Sequence, residues 1–178
     1  MDYTEKFSAN ICGYKGIVVS VRLDRVSMPD GVQVLREIVD HPGGVTILPV
    51  DDDGFAYCVR QFRYAHSETM LEAPAGKLEP GEDPYECAVR ELSEETGIRA
   101  DEVISLDCIY PSPGFSAETL HLYLARGLHM GESHPDENEL LSVEKVCLSE
   151  LEKMALDGRI RDAKTVITVL RAIQHLRG

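Results

Sequence analysis

No apolar run in this 178-residue chain reaches the roughly 20 residues that a membrane-spanning helix needs. Stretches such as "GIVVSV" and "GVTILPV" are far shorter, so no membrane insertion is expected. Positive charge is scarce. Lysine and arginine number 18 against 31 aspartates and glutamates, a formal net charge of −13. A surface that negative repels phosphate backbones, which excludes nucleic acid as a bulk partner. No C-x-x-C pair occurs among the five cysteines, Cys12, Cys58, Cys87, Cys108 and Cys147, so reduced, mostly buried thiols are expected. The first residues, "MDYTEKFSANICGYKG", carry neither a basic region nor an apolar one of the secretory kind, which points to the cytoplasm. Internal repeats, low-complexity tracts and an interdomain linker are also missing. With 43% hydrophobic and 28% charged residues, the composition is that of a soluble globular protein.

Local pattern predicts a mixed sheet flanked by helices, an α/β class. Residues 16–26 and 32–40 are rich in β-branched side chains and are separated by "SMPDG", which reads as a β-hairpin. A second strand pair is expected at "VTILPV" and "FAYCVRQFRYA", reversed by "DDDG". Further strands fall at 103–110, 119–126 and 142–148. Three helices have start and stop signals. The first has Asp83 to cap, Pro84 at its first position, Glu86 to complete a reciprocal box and Gly97 to stop it. Ser149, Glu152 and Gly158 repeat that grammar, and a last helix begins near Asp162 with Val166, Val169, Leu170, Ile173 and Leu176 as its apolar stripe. Residues 1–43 are expected to form a β-rich accessory segment whose edges pair with a second copy, giving a homodimer. Residues 44–178 form the principal domain.

The chemistry concentrates in "GKLEPGEDPYECAVRELSEETGI", residues 76–98, where seven carboxylates crowd 23 positions. Glu91 lies three residues before Glu94 and four before Glu95, one helical turn from each. Like charges so placed destabilise a helix by a few tenths of a kcal/mol per pair. Arg90, four residues from Glu86 and Glu94, offsets part of this. A generic acidic helix is a solvated surface. The alternative is a site for Mg²⁺ or Mn²⁺, hard cations that take a few carboxylates and leave positions for water and substrate phosphates.

Arrangement decides between the two. Gly76, Glu82, Arg90, Glu91, Leu92, Glu94, Glu95, Gly97 and Ile98 fall at the nine fixed positions of the Nudix box, and on them the chain resembles the Nudix hydrolase family. The match covers about an eighth of the chain. The resemblance implies an α/β/α sandwich and hydrolysis of a nucleoside diphosphate linked to another group. It further implies Glu91, Glu95 and the carbonyl of Ala75 as metal ligands, with Glu94 a further ligand or catalytic neighbour. Gly76, Glu82 and Arg90 would then be supports of the site.

Three other stretches resemble the ADP-ribose pyrophosphatase branch of that family. Pro113 in "SPGFSAE" lies fifteen residues past the box, and Gly114 follows it as an implied substrate contact. "VRQFR" resembles that branch's "EQYR" segment, which implies that Arg63 meets the diphosphate; Arg60 stands where an acid is usual. "LREIVDHPGGV" resembles the segment that reaches across a dimer, which implies Arg36 and Glu37 at the adenosine end. The turn-rich "HPDENELLSVE" resembles the loop that carries a glutamate base in that branch, which implies Glu137 as the catalytic base and Glu139 as a metal ligand. The implied reaction is Mg²⁺-dependent cleavage of ADP-ribose to AMP and ribose 5-phosphate. GDP-mannose or a UDP-sugar is the alternative substrate, and a catalytically silent ADP-ribose sensor is the alternative from another class.

Overall fold

The computed structural model describes residues 2–134 and 140–178. The chain divides into two compact units, residues 1–43 with 110–119, and residues 44–109 with 120–178.

In the first unit, β1 (Lys6–Lys15), β2 (Ser20–Ser27) and β3 (Gln33–Asp40) form an antiparallel sheet in that order. β2 and β3 are the expected hairpin, in register from Ser20 opposite Asp40 to Ser27 opposite Gln33. β1 has no counterpart in the sequence reading. Its residues are almost all exposed, so no buried face imprints alternation on them. Residues 110–119 join this unit through the Val39 amide to the Phe115 carbonyl at 2.8 Å and the Ala117 amide to the Val39 carbonyl at 2.9 Å.

The second unit contains β4 (Gly44–Pro49), β5 (Phe55–Arg63), β6 (Glu68–Glu72), β7 (Ala75–Lys77), α1 (Pro84–Thr96), β8 (Arg99–Ile109), β9 (Leu120–His129), β10 (Leu141–Cys147), α2 (Leu148–Leu156) and α3 (Ala163–Leu176). Its strands form two sheets, β7-β4-β9-β8 and β10-β5-β6. The first is mixed, since β4 runs parallel to β9 and its other pairs are antiparallel. β4 is buried along its whole length and feeds two cores. Val45 and Ile47 pack with Cys87, Ala88 and Leu92 of α1. Leu48 packs with Leu122 and Leu124 and with Leu151, Val169 and Ile173 of the two later helices. A sheet with helices on both faces is the expected α/β/α sandwich.

The second strand pair needs correcting. The Asp51 amide does turn back to the Phe55 carbonyl at 2.9 Å, but only Val50 and Ala56 bridge beyond it. β4 and β5 then enter different sheets, because β4 takes β9 as its neighbour. The second helix also differs. Cys147 precedes α2 and makes no side-chain cap bond, while Glu152 pairs with Arg177 at 2.7 Å. Of the five free thiols, only Cys58 and Cys87 are buried, and burial pushes both up to about 12. Among the described residues, no helix is long and apolar enough to cross a membrane.

Candidate active site

α1 owes its start to Asp83, whose side chain accepts the Tyr85 amide at 2.8 Å, and to Pro84 at the first position. Among the described residues, Glu86 makes no return bond to the Asp83 amide. Cys87, Ala88 and Leu92 set the buried face, and that rotation fixes where the carboxylates point. Glu95 falls on the margin of the buried face with 3% exposure. Gly97 ends the helix in the left-handed region at φ 71°, its amide donating to the Ser93 carbonyl at 2.9 Å. A Cβ there would also lie 2.6 Å from the Gly131 carbonyl oxygen, so glycine is required twice over.

Arg90 gathers three of the box carboxylates. Its Nε donates to Glu82 at 2.8 Å, Nη1 to Glu91 at 2.7 Å and to Glu94 at 2.9 Å, and Nη2 to Glu82 at 3.1 Å. The sequence spacing suggested Glu86 as a partner. Glu82 takes that place because the preceding loop turns back, with the Glu79 amide donating to the Glu82 carboxylate at 2.8 Å. The Arg90 guanidinium, helped by that amide, holds the Glu82 carboxyl down at about 2. The same carboxylates raise Arg90 above its usual range. Repulsion along α1 is therefore relieved by a planar donor fork that spans a loop and a helix.

The other end of the site is built on β7. Glu95 accepts the Ala75 amide at 3.1 Å, which ties the strand to the helix. Gly76 lets the Glu91 carboxylate lie against its Cα, where a Cβ would overlap it. Ala75, Gly76, Glu91 and Glu95 are thus brought together as expected, with Glu82, Arg90 and Glu94 beside them. Among the described residues, no three His, Cys, Asp or Glu side chains form a metal cluster by themselves. Two carboxylates one turn apart, with a strand backbone alongside, nevertheless form a hard oxygen-rich donor set. Mg²⁺ is commonly held by one or two carboxylates, with water and substrate phosphates completing its shell.

Arg63 ends β5 and points a bidentate pair at Glu72, Nε and Nη2 each 2.7 Å from its oxygens. Both residues line a cavity of about 620 Å³ together with Tyr64, His66, Met70 and Arg161. Glu72, at the end of β6, was not singled out from the sequence. Its signal was a lone acid inside the apolar "MLEAPA". Burial pushes its carboxyl up, and the hydrogen bond from Arg63 and the charge of Lys164 outweigh this to leave it below the ordinary value. Arg36 and Glu37 sit on β3, where Arg36 pairs with Glu5 at 2.6 Å. Gly114 has open space at its missing Cβ. These three belong to the first unit and Arg63 to the second. Glu137 and Glu139 lie outside the described residues.

The NUDIX domain profile matches residues 40–168. The chain belongs to the Nudix family. An ADP-ribose pyrophosphatase of Bacillus subtilis (strain 168) is 40% identical over 166 residues, spanning 92% of this chain and 88% of that one. A GDP-mannose pyrophosphatase of Yersinia enterocolitica serotype O:8 / biotype 1B (strain NCTC 13174 / 8081) is 35% identical over 155 residues, spanning 81% and 80%. The crystal structure of an ADP compounds hydrolase superposes with a TM-score of 0.85 at 21% identity, covering 98% of this chain and 95% of that one. That structure shares the α/β fold described above. The Nudix chain is an enzyme of the pyrophosphohydrolase kind, and the box around Arg90 is its candidate active site.

Proposed function

We propose that this Nudix enzyme hydrolyses the diphosphate of ADP-ribose to AMP and ribose 5-phosphate with Mg²⁺ bound. The observation that carries the reading is the placement of Glu91 and Glu95 against β7, with Arg90 fixing the first and the Ala75 amide the second. Glu91, Glu95 and the Ala75 carbonyl would hold the cation, with Glu139 completing the set and Mn²⁺ as a substitute. Once bound, the cation screens the phosphate charge and lowers the pKa of a water. The rest falls to the chain. Arg63 grips the diphosphate through a fork suited to phosphate oxygens. Glu137 takes the proton of the attacking water, as a base free of the metal set must, and Glu94 supports it from the helix. Arg36 and Glu37 are assigned to the adenosine end of the substrate, and Gly114 to a substrate contact.

The domain plan is part of the same proposal, with residues 1–43 as a dimerisation segment and 44–178 as the hydrolase domain. Phe7, Ile11, Tyr14 and Leu35 are exposed on the N-terminal sheet, a surface that a second copy would cover. Sedimentation at micromolar concentration checks this, and a monomer would overturn it. A cytoplasmic location belongs to the same reading. The deciding assay incubates the protein with ADP-ribose, GDP-mannose and a UDP-sugar, each with Mg²⁺ and with EDTA, and resolves the products. ADP-ribose is expected to give the highest kcat/KM, with no turnover in EDTA. Preference for GDP-mannose, favoured by the Yersinia relative, would replace the substrate. Tight binding of ADP-ribose without turnover would make the chain a sensor.

A further inference from the structure

Glu72 is the most deeply buried carboxylate near the site, with its side chain 1% exposed. A charge so placed is costly unless it is paired and hydrogen-bonded. Here two cations share it. Arg63 donates from Nε and Nη2, both at 2.7 Å, and the Lys164 ammonium contacts the same Oε2 that accepts from Arg63 Nη2. Lys164 also pairs with Asp162 at 2.9 Å, and Asp162 caps α3 by accepting the Thr165 amide at 3.0 Å. The Thr165 hydroxyl in turn accepts the Ala73 amide at 2.9 Å. One chain of polar contacts therefore runs from the first turn of α3, through Lys164 and Glu72, to the guanidinium of Arg63.

A staple between β6 and α3 would need only Lys164 and the Thr165 hydroxyl. The bidentate grip on Arg63 goes further. It occupies one edge of the guanidinium and fixes the plane of the rest. Among the described residues, Arg63 Nη1 makes no hydrogen bond to a protein acceptor. The fork lines the 620 Å³ cavity. A long side chain that must meet a diphosphate loses several rotors on binding, and prior immobilisation removes that cost.

We propose that Glu72 is a positioning residue: it holds the Nε and Nη2 edge of Arg63 so that the remaining N–H groups face the diphosphate of the substrate. The inference rests on the reading above that Arg63 binds the diphosphate. Glu72 pairs with Arg63 and Lys164, so any effect of its removal on diphosphate binding acts through Arg63, whereas loss of the Lys164 contact bears on stability.

A double-mutant cycle tests this with ADP-ribose in steady-state kinetics and with its non-hydrolysable methylene analogue in calorimetry. Glu72→Gln is expected to raise KM and weaken analogue binding by between about tenfold and a hundredfold, with a smaller change in kcat. Glu72→Gln combined with Arg63→Ala is expected to be no worse than Arg63→Ala alone. Lys164→Met, which loosens the staple and leaves the Arg63 pair, should lower the melting temperature and leave KM within about twofold. If Glu72→Gln does not fold, the double variant with Lys164→Met, which removes the buried ammonium as well, carries the same comparison. Independent, multiplying effects of the 63 and 72 substitutions would overturn the proposal while leaving Arg63 as a phosphate ligand. So would a Glu72→Gln variant that changes only the melting temperature. An Arg63→Ala variant with unchanged KM would instead remove the diphosphate reading of Arg63, and the role of Glu72 with it.

Discussion

The carboxylate of Glu91 lies where a side chain on residue 76 would have to be. Gly76 is therefore a space requirement, met by a strand residue for the sake of a helix residue. Oε1 of that carboxylate also accepts from Arg90 at 2.7 Å, so Glu91 is held by a guanidinium and hemmed in by a strand backbone before any ligand arrives. Confinement of this kind keeps a charged group in one geometry at no cost during turnover.

Gly76→Ala should accordingly damage the site more than the fold. The methyl group would displace the Glu91 carboxylate and break its contact with Arg90, while β7 retains its pairing with β4 opposite Val45. We expect a fall in kcat/KM of about a hundredfold, the scale on which a displacement near 1 Å acts, with a cooperative thermal transition preserved. Wild-type kinetics in the alanine variant would show that Glu91 can move without consequence.

Glu82 gives the site a pH signature in stability. Its ordinary value of 4.5 is lowered to about 2, with the hydrogen bond from Arg90 as the largest cause. A depressed carboxyl contributes stability above its unfolded value and loses it as pH falls through the folded one. The contribution should be complete near neutral pH and disappear between about 4.5 and about 2. Glu82→Gln removes it, so the melting-temperature gap between wild type and variant should be widest near neutral pH and close across that window. A gap that stays constant down to pH 2 would refute the assignment.

The parts of this molecule that depend on neighbours in sequence were legible, and those that depend on distant residues were not. Asp83 and Asp162 could be read as caps because each bonds an amide two or three residues on. Spacing likewise put Glu91 one turn from Glu94 and Glu95, and Arg90 one turn from Glu94, a pair the structure makes at 2.9 Å. Ser149 had the same local grammar and failed, because Leu148 already donates its amide to Gly54 in the turn before β5. The turn at "DDDG" was read correctly as a reversal, yet the partner of β4 lies in β9, more than seventy residues away. Glu72 and Lys164, 92 residues apart, leave no mark in any local window.

The proposed base and the proposed third carboxylate ligand are separable by kinetics. The His134 amide donates to the Glu94 carbonyl at 2.8 Å, so the chain stands at the last turn of α1 three residues before Glu137. Glu137→Gln is expected to lower kcat by about 10² to 10⁴, the range of general base catalysis, with KM and Mn²⁺ affinity little changed. Glu139→Gln should weaken Mn²⁺ binding as well as turnover. Should the two patterns appear in the opposite variants, base and ligand exchange places.

Glu95 is where metal chemistry and fold meet most closely, and its variant separates them. The residue is 3% exposed and bonds the Ala75 amide at 3.1 Å through Oε2, a contact that the amide oxygen of glutamine can reproduce. Glu95→Gln therefore keeps volume and the tie to β7, and removes the negative charge that a hard cation needs. Turnover should fall beyond the roughly hundredfold that loss of an outer partner of a metal site costs. Mn²⁺ affinity, followed by electron paramagnetic resonance with the substrate analogue present, should fall with it, while the melting temperature without metal stays within a few degrees of wild type. Full Mn²⁺ affinity in a folded, inactive variant would move the metal away from Glu95, and full activity would remove the acidic turn of α1 from the chemistry.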